Sequence, residues 1–399
     1  MDEKIAGLDY SERLRRTAEQ AGYDHTLFLP PASPEESWTP PWRALQPLQG
    51  SCFVLFKRGY LPDTRYLESV KEWGAARGQF TVGDHSPVLV YCAEDPHEWL
   101  EKVAQNHGRP GLFDLLQKDF PTKIQPGPAG KVYELQSAEQ IPRIESLLFQ
   151  SLIKDTEGFM SRNVERKISL AISRRLVNTS ISPNQMTLFS IGVGLAGACL
   201  LGIQQGILQI TGACLFLAHS ILDGCDGELA RIKFLQSRWG GLMDFWGDNI
   251  VHSAVFLALA LEWSRRTHSL FPIVLGGLAL LGTVASASWV YWHTMRPKGD
   301  KEPLYTSVSV NQEKSKVTEI ADFLSRRDFI YLVVLLSFFH KLDWFLVLSA
   351  VGAPLFFLVL VWIHFQERRV LEKKRSACTG IGPEAELMES EKNMPADHL

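Results

Sequence analysis

Asp223, Asp226, Asp244 and Asp248 place four carboxylates within 26 residues, and the sequence on both sides of them is strongly apolar. Few folds accommodate that combination. A carboxylate near hydrocarbon is costly, so it marks a working site by default. Residues three or four apart share a helix face, which pairs Asp223 with Asp226 and Asp244 with Asp248. Two helices that each present such a pair to one gap form a cage of oxygen ligands for a hard divalent cation such as Mg²⁺, Mn²⁺ or Ca²⁺.

The apolar runs set the architecture around that cage. A mean hydropathy near zero averages two unlike halves, an ordinary soluble composition over 1–180 and a membrane-like one over 184–365. We place spans near 185–203, 207–223, 246–263, 271–293, 328–341 and 344–365, most of them close to the roughly 20 residues that cross a bilayer. Ser182-Pro183-Asn184 reads as the cap and start of the first. The last two divide a 38-residue run at His340, Lys341 and Asp343. Small residues (Gly192, Gly194, Gly197, Gly276, Gly277, Gly282) permit close helix contact. Basic residues are frequent in the segment before the first span, in 224–243, in 296–327 and in 366–375, which an even number of spans puts together on the cytoplasmic face. Arg265-Arg266 runs against this assignment. The residues after 366 read as a polar, disordered tail.

Residues 1–150 read as a soluble α/β domain. Ser51–Lys57 and Pro87–Ala93 have strand composition. Tyr66–Arg77, Pro96–Asn106 and Ile144–Leu152 read as helices, and Pro30–Pro41 as loop. Asp84-His85 and Glu94-Asp95 are isolated polar pairs best read as turn residues. Met1–Gln20 lacks the apolar core of a signal peptide. The six cysteines form no CxxC pair or even framework, so free thiols in a reducing compartment are expected. Between the halves (151–183), Phe159, Val164, Ile168, Ala171, Ile172 and Leu176 recur at helical spacing opposite Arg162, Arg166, Lys167, Arg174 and Arg175. That is a basic amphipathic helix suited to an anionic membrane surface.

The chain would reverse at Gly240-Gly241, so that all four aspartates meet just below the membrane surface. Gly227 and Ala230 are small and lie on the aspartate side of their helix, where backbone can approach a flat ligand. Arg231, one turn after Gly227, is placed to grip a phosphate. Phosphate, metal and arginine together point to phosphoryl-group transfer, in which positioning and charge neutralisation do most of the catalysis. His219, one turn before Asp223, reads as a polar neighbour of the site or a satisfied core histidine.

The spacing D-x2-D-G-x2-A-R-x8-G-x3-D-x3-D is met at all eight positions by Asp223, Asp226, Gly227, Ala230, Arg231, Gly240, Asp244 and Asp248. It resembles the signature of the CDP-alcohol phosphotransferases, and the resemblance extends over roughly residues 155–370. It implies a six-helix integral membrane enzyme, a homodimer in the inner or plasma membrane, with its soluble part and active site on the cytoplasmic side. Such an enzyme moves a phosphate-linked alcohol from a CDP-alcohol to an acceptor hydroxyl and releases CMP, in phospholipid or polyol-phosphodiester synthesis. By the same resemblance Asp223, Asp226 and Asp244 hold two Mg²⁺ or Mn²⁺ ions. Asp248 completes the metal site and acts as base. Asp223, Gly227, Ala230, Arg231 and Gly240 line the CDP site.

A narrower resemblance runs through Leu152-Ile-Lys154, Glu157-Gly158-Phe159, Ser161-Arg162 and Arg166-Lys167-Ile168-Ser169. These residues are similar to the junction in bifunctional inositol-phosphate cytidylyltransferase/di-myo-inositol-phosphate phosphate synthases, where a GT-A-like nucleotidyltransferase domain precedes the membrane domain. The glycine-rich loop with Arg and Lys that such a domain needs is absent from Met1–Gly50, so 1–150 would be a degenerate version. Arg296, Lys298, Arg326 and Arg327 are candidates for a phosphorylated acceptor. No nucleic-acid partner is expected. The competing readings are a membrane scaffold of the same fold and a divalent-metal carrier; neither needs Gly227, Ala230 and Arg231.

Overall fold

A computed structural model describes residues 4–29, 52–73, 77–82, 86–106, 111–135, 137–153, 164–295 and 329–379, the last 13 of these as backbone. The chain divides into two compact units, Met1–Ser151 and Leu152–Leu399.

The first unit is α/β. A short hairpin, β1 (Lys4–Ile5) and β2 (Leu8–Asp9), leads into α1 (Tyr10–Gln20). Arg13 is buried and closes the hairpin by donating to the carbonyls of Ile5 and Ala6, each at 3.0 Å. There follow β3 (Cys52–Phe56), β4 (Tyr60–Pro62), α2 (Thr64–Glu72), β5 (Gly78–Thr81) and β6 (Val88–Cys92). The unit continues with α3 (His97–Asn106), α4 (Leu112–Asp119), β7 (Thr122–Ile124), β8 (Val132–Glu134) and α5 (Ile141–Gln150). The main sheet has the order β3-β6-β5-β7, and β5–β7 is its one parallel pair. The apolar runs read from sequence become β3 and β6, which pair in antiparallel register. That register sets Cys52 directly opposite Cys92, and the two form a disulfide. The expectation of free thiols fails here because it rested on sequence spacing, whereas strand register brought together cysteines 40 residues apart. Cys199, Cys214 and Cys225 are free.

The second unit is helical: α6 (Arg166–Leu176), α7 (Pro183–Leu201), α8 (Gly206–Ile232), α9 (Arg238–Thr267), α10 (Phe271–Val290), a π-helical turn (Tyr291–Met295), α11 (Phe329–Phe338) and α12 (Leu342–Thr379). A helix therefore occupies each expected span position. Four of them are long and apolar enough to cross a membrane: α7, α8, α10 with its π turn, and α12 as far as Gln366. Helix α9 is long but carries the site aspartates and a charged C-terminal end, and α11 has 10 described residues. Large apolar side chains such as Leu188, Phe189, Val274, Leu281, Val351 and Leu358 face outward, as lipid-facing positions do.

The sequence signals at the helix ends are met. Ser182 and Gln185 form a reciprocal capping box with Pro183 in the first turn of α7, satisfying backbone N–H groups that would otherwise be orphaned. Helix α11 ends at a left-handed His340, with Lys341 N bonded to Leu336 O and His340 N to Ser337 O. That Schellman turn makes the tight hairpin read at His340–Asp343. The reversal after α8 differs from expectation. Helix α8 runs on through the motif to Ile232, and the turn falls at a left-handed Phe234, closed by Leu235 N to Ala230 O and Phe234 N to Arg231 O. Gly240 and Gly241 instead lie in the first turn of α9, where Ser237 caps Gly240 N. The polar run after 366 is helical to Thr379 rather than an unstructured tail.

The core of this unit joins α7, α8, α9, α11 and α12 through Leu201, Phe216, Val251, Val255, Ile330, Val333 and Leu346. Helices α7 and α8 touch through their backbones. A Cβ on Gly197 would lie 2.8 Å from Gly212 O, and one on Gly212 would lie 2.7 Å from Gly197 O. Replacing either glycine by leucine should therefore destabilise the unit by at least about 1–3 kcal/mol. This would be read as a lower melting temperature in detergent, while Gly192→Leu, with open space around it, should leave the temperature unchanged.

Candidate functional site

The site forms where α8 and α9 run side by side. On α8, Asp223 and Asp226 project from one face and are both buried. On α9, Asp244, Asp248 and the buried Val251 and Val255 follow at three- and four-residue intervals, so the stripe that carries the carboxylates continues into the core. Gly247 lets this stripe close on α7: a Cβ there would lie 2.3 Å from Ile191 Cδ1.

Asp223, Asp226 and Asp244 each bring a carboxylate oxygen to within 4.8 Å of the other two. Oxygens bound to one Mg²⁺ or Ca²⁺ at roughly 2.0–2.6 Å can be no more than about 5 Å apart, so the spacing fits a shared hard cation. Asp244 Oδ1 is also buried and has no hydrogen-bond partner among the described residues, as expected of an oxygen reserved for a metal. Asp248 is not in this group. Its Oδ1 lies 3.4 Å from His219 Nε2, and His219 Nδ1 is 2.9 Å from the carbonyl of Ser190 on α7. His219 is thus a buried core histidine held by backbone, with its free edge against Asp248.

The small residues of the motif are half-buried, unlike the aspartates on α8. The Arg231 guanidinium lies over Gly227, where a Cβ would come within 3.3 Å of Nη1. Gly240 faces Asn184 at the start of α7, where a Cβ would lie 2.9 Å from Oδ1. Arg296, Lys298, Arg326 and Arg327 lie outside the described residues.

Sequence reasoning missed Thr187. This residue is one turn into α7, is buried, and donates its hydroxyl hydrogen to Asp226 Oδ2. It also missed the side chains behind α8. Glu228 is fully buried and accepts from Arg166 Nη1 at 3.0 Å, Ser169 Oγ at 2.6 Å and Ser173 Oγ at 2.7 Å. The available signal was polar residues at helical spacing among apolar neighbours: Thr187 one turn after Pro183, and Arg166, Ser169 and Ser173 three and four apart.

Carboxylates held this way should bind metal before any substrate is present. Mn²⁺ at 100 times its dissociation constant should stabilise the protein by about 2.7 kcal/mol, read as a raised melting temperature that Asp226→Asn abolishes. Thr187→Val, which removes only the hydroxyl supporting Asp226, should raise the Mn²⁺ concentration needed by about 10-fold or more. Thr187→Ser should not.

Residues 180–309 match the family model for CDP-alcohol phosphatidyltransferases. The chain is 36% identical over 152 residues to the bifunctional IPC transferase and DIPP synthase of Thermococcus kodakarensis, covering 38% of this chain and 33% of that protein. It is 30% identical over 132 residues to the phosphatidylinositol phosphate synthase of Mycobacterium tuberculosis, covering 33% of this chain and 59% of that protein. The chain thus spans about a third of the length of the first curated relatives it matches. A solved structure of the Mycobacterium tuberculosis phosphatidylinositol phosphate synthase with CDP-DAG bound aligns at a TM-score of 0.32 and 18% identity, over 48% of this chain and 90% of that one; so loose a likeness has no bearing on the fold. The family match covers the whole eight-position motif and the helices that carry it, and residues 180–309 are a domain of the CDP-alcohol phosphatidyltransferase family.

Proposed function

We propose that the chain is an integral membrane, divalent-metal-dependent CDP-alcohol phosphotransferase. It transfers a phosphate-linked alcohol from a CDP-alcohol to an acceptor hydroxyl and releases CMP. The observation that carries this reading is the convergence of Asp223, Asp226 and Asp244 within 4.8 Å, beside a Gly227 backbone overlain by Arg231.

The residues take distinct roles. Asp223, Asp226 and Asp244 would hold Mg²⁺ or Mn²⁺, in the two-metal arrangement that the family resemblance implies. When bound, such ions supply charge neutralisation at the pyrophosphate and at the departing phosphate. Gly227, Ala230 and Gly240 offer low walls to the cytidine, and Arg231 grips a phosphate oxygen. Asp248 takes the proton from the acceptor hydroxyl, and His219 fixes its orientation. The acceptor oxygen bonds to the phosphorus that bears the alcohol. The bond from that phosphorus to the bridging oxygen breaks, and its electron pair leaves with CMP. The names of the relatives make inositol phosphates the first acceptors to try.

In this reading α9 and α11 join the four long apolar helices to make six spans, with the site on the cytoplasmic side. The exception to the charge rule is softened by pairing: Arg266 bonds Asp343 and lies 3.5 Å from Glu262. Exposed Ile168 on α6 and Val164 just before it, next to exposed Lys167, Arg174 and Arg175, support an interfacial role for that helix. A homodimer follows from the family resemblance alone. The nucleotidyltransferase-like reading of 1–150 rests on its place ahead of the membrane domain and on the junction residues; the largely antiparallel sheet lends it no support.

The test is CMP release from CDP-diacylglycerol and CDP-inositol, crossed with inositol phosphates, in membranes with Mg²⁺ or Mn²⁺. At least one pair should yield CMP, and Asp248→Asn should slow it by about 100-fold or more. Failure of every CDP-alcohol to yield CMP contradicts the reading.

A further inference from the structure

Helix α8 has a second polar face that the reaction does not use. At about 100° per residue, Asp223, Asp226, Gly227 and Ala230 cluster on one side of α8, while Gly224, Cys225 and Glu228 lie on the opposite side. Helix α6 is fastened to that opposite side. Gly224 leaves room for it, since a Cβ there would lie 3.2 Å from Arg166 Nη1 and 3.6 Å from Ser169 Cβ. The Cys225 thiol points at Ser169 O at 3.5 Å. Both Glu228 oxygens are taken, Oε1 by Arg166 and Ser169 and Oε2 by Ser173. All three donors come from successive turns of α6, and Glu228 itself is 0% exposed. Lys233, just past the end of α8, donates to Thr179 O at 3.0 Å and ties down the same strap one turn further on.

A buried carboxylate with three donors is expensive to rearrange, because turning it away leaves Glu228 and the buried hydroxyls of Ser169 and Ser173 unpaired. It therefore fixes how α8 is rotated about its axis, and that rotation aims Asp223 and Asp226. We propose that Glu228 is a positioning residue: clasped by Arg166, Ser169 and Ser173 of α6, it holds α8 in the rotation that gathers the metal carboxylates on the far side. This rests on the metal-dependent reading above. Because α6 also exposes Ile168, with exposed Val164 just before it, the clasp ties the metal helix to the surface that this face rests on, the bilayer in the reading above.

The experiment is Mn²⁺ binding to the full-length protein in detergent, followed by electron paramagnetic resonance below the melting temperature of every variant. Glu228→Gln, which keeps the shape but replaces one acceptor oxygen by a donor, should weaken Mn²⁺ binding by about 10-fold. Ser173→Ala should weaken it in the same direction, and Arg166→Lys should retain more affinity than Arg166→Met. In CMP-release assays, saturating Mn²⁺ should return kcat of Glu228→Gln toward wild type. Unchanged Mn²⁺ affinity in both Glu228→Gln and Ser173→Ala, with only a lower melting temperature, overturns the proposal and makes the clasp a fold contact. No Mn²⁺ binding by the wild type overturns the proposed function, and this inference with it.

Discussion

Asp223, Asp226 and Asp244 bring three carboxylates within 4.8 Å of one another on helices flanked by hydrocarbon-seeking sequence, and all three must be ionised to share a cation. Two unit charges about 5 Å apart repel by roughly 3 kcal/mol even at an effective dielectric near 20. Three such pairs approach the whole net stability of an ordinary domain, about 5–15 kcal/mol. Protons relieve that repulsion when the cluster is empty and a cation relieves it when loaded, so the fold must hold the three side chains together through either state. The contacts around the site fit this demand. Thr187 donates to Asp226 from α7, His219 lies against Asp248, Gly247 lets α9 close on Ile191, and Glu228 binds the back of α8 to α6.

The interhelical contacts follow the same logic. At Gly197 and Gly212, α7 and α8 meet backbone to backbone. Such contacts suit a unit whose outer surface is apolar, where packing and hydrogen bonds rather than water exclusion bring helices together. Close approach also shortens the reach that Thr187 and Ser190 need to touch residues of α8. The first unit, in contrast, uses means ordinary in water: an antiparallel sheet core, a cross-strand disulfide, and a buried Gln79 that takes a hydrogen from Trp99 at 2.8 Å and donates to Leu116 O at 3.0 Å.

Much of this was legible from residue order alone, because the signals were local. The eight-position motif, the Ser182–Gln185 cap, the hairpin at His340 and the strands at 52–56 and 88–92 all depend on residues within a few positions of one another. What escaped depended on register and side-chain direction. Cys52 finds Cys92 only through strand pairing. The turn after α8 uses Phe234 in a left-handed conformation that usually favours glycine, so Gly240-Gly241 drew attention to the wrong place. On α6 the buried residues are Ser169, Leu170 and Ser173, while Ile168, and Val164 just before the helix, are exposed. Periodicity set an apolar face against a basic one; Glu228 instead engages Arg166 of the basic face together with Ser169 and Ser173, which belong to neither.

The central claim is that the three carboxylates exist to share a divalent cation beside a cytidine diphosphate site. Anomalous diffraction at the manganese edge, from crystals grown with Mn²⁺ and a CDP-alcohol, tests it most directly. The account predicts a peak among the carboxylates of Asp223, Asp226 and Asp244, at ligand distances of roughly 2.0–2.4 Å, with the pyrophosphate next to it and Arg231 on a phosphate oxygen. A nucleotide bound there without manganese, or manganese bound elsewhere on the protein, would contradict it.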